Sequence, residues 1–209
     1  MTRVKICGLT VANDVKLVAG YHAWACGFVL SDSPRRVSVA QAAGLTPLCG
    51  HSLAVAVVTT EKPAWIAGAV AEGGFGAVQL SAGADGPSVA AMRAAALSRG
   101  LQPIVIAAAD TEDCDAADLV LFDARTPEAY GGTGRRLDWK ALAAAGLPRE
   151  RLVLAGGLLP SNVHGAIKLV RPFAVDVSSG IERTPGVKEP RLMRAFFGVV
   201  AGADLSGGV

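Results

Sequence analysis

The sequence predicts a single-domain α/β chain folded as a (β/α)8 TIM barrel. Three observations carry this. Short apolar, β-branched runs alternate with alanine-rich helical stretches eight times along the chain. The 209 residues suit one such domain. Of them 51% are hydrophobic and only 5% aromatic, a mix suited to small helices packed closely on strands rather than to a β-sandwich.

Strands are expected near residues 4–7, 25–30, 53–58, 77–80, 102–107, 119–123, 152–155 and 174–177. Each is a near-continuous apolar run, as strands buried on both faces require. Helices are expected at 12–20, 38–44, 62–72, 87–99, 111–115, 138–145, 161–169 and 189–199. Asn162 and Asp138 stand where N-caps belong, and Gly20 and Gly100 where C-caps belong. The unit between residues 107 and 119 has room for only a short helix and is the weakest in the count. A doubly wound open sheet would also alternate its elements. It needs no eighth strand, however, and usually carries a glycine-rich turn after strand one, where this chain has Cys7-Gly8-Leu9. The barrel is expected over residues 1–201 and a flexible C-terminal tail over 202–209.

Net charge is +2 and no run of Lys or Arg exceeds two residues, so no nucleic-acid partner is expected. The four cysteines form no CxxC pair, and none stands near one of the three scattered histidines at metal-ligand spacing, so no metal is expected. The chain opens on VKICGL with no signal peptide, and no apolar stretch is long enough to span a membrane. Free thiols without a secretory signal point to the cytoplasm.

Chemistry in a barrel of this kind belongs at the C-terminal ends of its strands. Cys7 ends strand one. Taken alone it reads as an inert small hydrophobe; beside Lys5 it reads as a thiol of lowered pKa able to act as a base. Asp123 ends strand six after four apolar residues, so it meets solvent or ligand unless it caps a helix or pairs with Arg125. Asp176, inside the apolar AVDVSS run, is expected to point inward near the mouth, in a structural or ligand-binding role. Gly156-Gly157 after strand seven and Ser178-Ser179-Gly180 after strand eight sit where barrels often bind phosphate, although glycines there also permit tight turns. Arg35, after strand two, could grip a carboxylate by two prongs or be a solvated surface arginine. The loop Gly131-Gly132-Thr133-Gly134 could close over a ligand or be an ordinary connection. Cys26 and Cys49 read as core residues, and Cys114 as incidental.

The segments VKICGLT, GFVLSDSPRRVS, GAVQL, LFDARTPEAYGGTGRRLDW, LAGGLLPSNV and VRPFAVDVSSGIERTPGVKEP occur in that order over nearly the whole chain. Together they closely resemble the phosphoribosylanthranilate isomerase family of tryptophan biosynthesis. The resemblance implies a TIM barrel catalysing, without a cofactor, the Amadori rearrangement of N-(5-phosphoribosyl)anthranilate to 1-(2-carboxyphenylamino)-1-deoxyribulose 5-phosphate. It implies Cys7 as general base, Asp123 as general acid, Arg35 rather than Arg36 on the anthranilate carboxylate, and Gly156, Gly157, Ser179 and Gly180 around the phosphate. That chemistry calls for a raised pKa at Asp123 and a lowered one at Cys7.

The chain departs from the family's usual pattern where VQLHG becomes VQLSAG, with Ser81 in the histidine's place, and where VGVFVN becomes VAVVTT, with Thr59 and Thr60. Both places border the aromatic end of the ligand. Two other readings stand beside the first. One is a barrel isomerase for another phosphoribosyl amine, of the histidine-pathway kind; that relative has an aspartate where Cys7 stands and a second phosphate site that is not evident here. The other is a non-catalytic sugar-phosphate-binding barrel, against which the retention of Cys7 and Asp123 argues. Members of the family occur as monomers and as homodimers, and nothing in the sequence decides between them.

Overall fold

Eight strands hydrogen-bond in sequence order and close on themselves: β1 (Arg3–Ile6), β2 (Ala25–Val29), β3 (Leu53–Val58), β4 (Ala77–Leu80), β5 (Ile104–Ala108), β6 (Leu119–Asp123), β7 (Leu152–Ala155) and β8 (Ala174–Val177). Every neighbouring pair is parallel, and β1 pairs with β8 in a register that sets Lys5 opposite Asp176. The computed structural model describes residues 1–123, 139–144 and 148–205. Around the barrel lie α1 (Ala12–Gly20), α2 (Val39–Leu45), α3 (Pro63–Gly73), α4 (Val89–Leu97), α5 (Trp139–Ala144), α6 (Val163–Val170) and α7 (Pro190–Leu205).

Strand alternation divides the apolar residues into two cores. Val4, Ile6, Cys26, Phe28, Val78 and Leu80 point outward and pack against the helices. Ala25, Val55, Val57, Ala77, Ile106, Leu121, Val153 and Ala174 fill the barrel interior, with Cys7 packed against them. The interior layer is rich in alanine and valine, which leaves room for longer polar side chains rooted on the same inner face.

Local sequence sets most element ends. Ser38 and Gln41 form a reciprocal capping box on α2, and Ser88 caps α4 through the Ala91 N–H. At the end of α1 the left-handed residue is His22 (φ 55°) rather than Gly20, which stays inside the helix. Gly100 (φ 71°) does close the turn after α4, its N–H donating to Leu97 O.

Three further expectations need correction. No α-helix forms at 111–115; a single 3-10 turn, Cys114–Ala116, connects β5 to β6. The left-handed Asp113 (φ 57°) turns the chain there, and its carboxylate accepts from Val89 N and Ala90 N, spending the segment on the N-terminus of α4. The expected tail from residue 202 is helical through Leu205, because the buried stripe Met193, Phe196, Val200 and Ala203 keeps α7 on the barrel wall. Asn162 precedes α6 but gives it no side-chain cap; it faces back into its own loop instead. After β8 comes an element the sequence reading did not anticipate, an antiparallel hairpin of β9 (Glu182–Thr184) and β10 (Val187–Lys188) turned through Gly186 (φ 84°). The expectations for Asp138, Arg125 and residues 131–134 lie outside the described residues. No described helix is long and apolar enough to cross a membrane.

Candidate active site

Cys7, immediately after β1, joins Gln79, Asp123 and Asp176 from the inner faces of β4, β6 and β8 at one cavity of about 130 Å³ at the C-terminal end of the strands. Gly156, Gly157, Ser178, Ser179 and Gly180 complete its lining. Larger hollows of about 410 and 710 Å³ open around Arg3, at the N-terminal ends of the strands. The smaller cavity is where acid, thiol and glycine loops converge, and chemistry in this fold sits on that side.

Beneath Cys7, and fully buried, lies Lys5. Its ammonium donates to Asp176 Oδ2 at 2.9 Å and lies within interaction range of the Cys7 thiol. Gly27 on β2 makes space for the pair. A Cβ built there would stand 3.1 Å from Cys7 Sγ and 3.2 Å from Lys5 Nζ. Burial acts to lower the Lys5 pKa, but Asp176 and the thiol raise it above its ordinary value, so the ammonium stays charged. Burial also pushes the Cys7 thiol upward, against the pull of Lys5 and Lys188. The expected lowering of this thiol is therefore not a property of the ligand-free site; desolvation outweighs the neighbouring cations there.

Arg35 is not part of the cavity lining. It lies across Gly8, beside Cys7, where a Cβ on residue 8 would meet its Cδ at 2.5 Å. Glu182 grips it, with Nε donating to Oε1 at 2.9 Å and Nη2 to Oε2 at 2.7 Å. The buried Lys188 ammonium donates to Glu182 Oε1 at 2.9 Å and to the Cys7 carbonyl at 2.6 Å. Burial alone would raise the Glu182 carboxyl, but Arg35, Lys188 and the Gly186 N–H hold it down at about 2. Arg35 keeps the edge formed by its two terminal nitrogens for another two-pronged contact.

The loops after β7 and β8 touch through glycine. A Cβ on Gly180 would fall 1.9 Å from Leu158 O, so no side chain fits between them. Gly156 (φ 85°) and Gly157 (φ 64°) take the left-handed backbone that glycine tolerates best. Asn162 braces this loop, accepting from Leu159 N at 2.8 Å and donating to Gly157 O at 2.9 Å. Three buried polar atoms on the cavity's residues, Gln79 Oε1, Asp176 Oδ1 and Ser178 Oγ, find no partner among the described residues. Buried polar groups are normally satisfied, so such a cluster marks a place for polar ligand atoms.

Of the residues singled out from sequence, Cys7, Asp123, Gly156, Gly157, Asp176, Ser179 and Gly180 thus meet around one space, with Arg35 on its rim. Ser81 lies outside the lining and accepts from Gln79 Nε2 at 2.9 Å. Thr59 is tied down through its N–H to Ser31 Oγ and Glu61 Oε2, and Thr60 is exposed. Cys26 and Cys49 are buried, and Cys114 donates to Ala109 O. Sequence reasoning gave no role to Gln79, Glu182 or Lys188, and treated Lys5 only as a neighbour of the thiol. A polar residue at an inward position of an otherwise apolar strand was the available signal for Lys5 and Gln79. Glu182 and Lys188 gave none beyond their place in the last motif.

The family model described as N-(5'phosphoribosyl)anthranilate (PRA) isomerase matches residues 4–199. The N-(5'-phosphoribosyl)anthranilate isomerase of Geobacter sulfurreducens is 36% identical over 206 residues, covering 94% of this chain and 97% of the relative. The crystal structure of phosphoribosyl anthranilate isomerase from Thermotoga maritima superposes with a TM-score of 0.79 at 35% identity, covering 97% of this chain and 100% of that one. Another structure of the enzyme, in complex with reduced 1-(o-carboxyphenylamino)-1-deoxyribulose 5-phosphate, has a TM-score of 0.77 at 32% identity, with the same coverage of 97% and 100%. By motif, by full-length similarity and by fold, the chain belongs to the N-(5'-phosphoribosyl)anthranilate isomerase family.

Proposed function

We propose that the protein isomerises N-(5-phosphoribosyl)anthranilate to 1-(2-carboxyphenylamino)-1-deoxyribulose 5-phosphate, an Amadori rearrangement in tryptophan biosynthesis. The observation that carries the assignment of roles is the placing of a thiol just past β1 and a carboxyl group at the end of β6 around one cavity, with two glycine loops beside them.

In this reading protonated Asp123 donates to the furanose ring oxygen. The C1–O bond breaks and the anilinic nitrogen becomes a protonated imine. That cation acidifies the hydrogen on C2, which the Cys7 thiolate removes. The C–H electron pair forms the C1–C2 double bond, the nitrogen becomes neutral, and the enolamine tautomerises to the ketone. Gly156, Gly157, Ser179 and Gly180 receive the phosphate. The unpartnered Asp176 Oδ1 and Gln79 Oε1 suit hydroxyl groups of the sugar. The free edge of Arg35 takes the anthranilate carboxylate, its other edge being held by Glu182. The partner is thus a phosphorylated small molecule, and the compartment that goes with this pathway and four free thiols is the cytoplasm.

Complementation tests the assignment. A tryptophan auxotroph lacking this isomerase should grow on minimal medium with the wild-type chain and not with Cys7→Ala. Failure of the wild type to rescue, with turnover of a different aminoaldose phosphate in vitro, would move the assignment to another phosphoribosyl amine. Ligand binding without turnover of either would make the protein a sugar-phosphate-binding barrel.

A further inference from the structure

Among the described residues Lys5 is the most enclosed charge, and it lies one alternation below Cys7, on the inward face of β1. An ammonium fully removed from water is costly unless it is paired. Asp176, its register partner on β8, pairs it at 2.9 Å, but through one oxygen only; the other carboxylate oxygen has no partner among the described residues. A lysine needed only to fill the interior would be simpler as leucine or methionine, which carry no desolvation cost. What the charge does face is the thiol, across the gap left by Gly27.

The groups around Cys7 come from every neighbouring element. Lys5 is on β1, Asp176 on β8, Glu182 and Lys188 on the β9–β10 hairpin, and Arg35 on the loop after β2; Asp123 closes the far side of the cavity. The two ion-paired carboxylates, Asp176 and Glu182, neutralise two of the three cations. These five ion-paired groups sum to one positive charge, the buried Asp14 carboxylate accepts from the Lys188 main-chain N–H, and the pull of the cations toward a thiolate works against the burial of the sulfur. Among these cations Lys5 exerts the strongest downward pull on the thiol, and Asp176 opposes it.

We propose that Lys5 is a positioning residue for the proton-transfer step: its ammonium, fixed by Asp176, stabilises the thiolate form of the Cys7 sulfur against the burial that disfavours it. The proposal rests on the reading of Cys7 as the base. Lys5 keeps its own protons throughout; the proton leaving C2 goes to sulfur.

The test is the pH dependence of Cys7 alkylation by iodoacetamide, resolved from Cys26, Cys49 and Cys114 by peptide mass spectrometry. It uses the ligand-free full chain as wild type, Lys5→Met and Asp176→Asn, with the pH profile of kcat/KM taken in parallel. Lys5→Met should move the titration midpoint up, with at least about tenfold less thiolate near neutral pH, and should move the rising limb of kcat/KM in the same direction. Asp176→Asn should move the midpoint down. Opposite shifts from the two halves of one ion pair are not what a packing role produces. A folded Lys5→Met protein that alkylates with the wild-type profile overturns the proposal, as do shifts in the same direction. Should Lys5→Met fail to fold, Asp176→Asn decides: a downward shift supports the proposal, and an unchanged or upward one overturns it. Full turnover by Cys7→Ala would instead overturn the base reading, and with it the use of Lys5, while leaving these titrations unaltered.

Discussion

Lys188 donates its buried ammonium to the main-chain carbonyl of Cys7 at 2.6 Å, joining residues 181 positions apart in the chain. The same nitrogen holds Glu182 Oε1, and Glu182 holds Arg35. One carboxylate thus fastens the hairpin after β8 to the loop carrying the thiol and to the arginine on the rim.

This arrangement makes the site acid-sensitive in a defined window. The Glu182 carboxyl titrates at about 2 in the folded protein against an ordinary 4.5. A depressed folded pKa means stabilisation that is complete above the unfolded value and lost as pH falls through the folded one. The melting temperature of the wild type should therefore exceed that of Glu182→Gln at neutral pH, and the gap should narrow between about pH 4.5 and about pH 2. A gap constant across that range would contradict the ion-pair account.

The strands were legible because each is buried on both faces and so reads as an apolar run; five of them, at 53–58, 77–80, 119–123, 152–155 and 174–177, fall on the expected residues. The ends of strands then pointed to Cys7, Asp123 and the glycine loops. What stayed hidden depends on partners remote in sequence. Glu182 meets Arg35 across 147 positions, and nothing in ERTPGVK announces that its two ends face the thiol loop. The fifth helix failed for a related reason, since Asp113 serves a helix 23 and 24 residues earlier rather than its own segment. Lys5 was visible as a neighbour of Cys7, but its full burial and its pairing with Asp176 follow only once β1 and β8 close the barrel.

The glycine loops should discriminate binding from chemistry. Gly180→Ala inserts a methyl group where Leu158 O already stands. The two loops must part, which should disturb the proposed phosphate site while leaving Cys7 and Asp123 in place. Steady-state kinetics should show KM for the phosphorylated substrate rising by about tenfold or more, with kcat changed less. An equal fall in kcat at unchanged KM would remove these loops from the phosphate site.

The Lys5–Asp176 pair should couple strongly in stability. Removing Lys5 alone strands a buried carboxylate, at a cost of about 3–5 kcal/mol in the unfolding free energy. Lys5→Met combined with Asp176→Leu should recover much of that loss, because no charge is then left unpaired. Urea unfolding of the two single variants and the double variant measures the interaction. Additive losses would mean the two charges do not depend on each other.

The most direct test of the acid–base assignment is steady-state turnover of N-(5-phosphoribosyl)anthranilate by the purified wild type, Cys7→Ala and Asp123→Asn, with folding checked by circular dichroism. The wild type should turn over, and each folded variant should lose about 10²- to 10⁴-fold in kcat, the range a positioned acid or base supplies. Either variant turning over within a few fold of wild type would contradict that assignment.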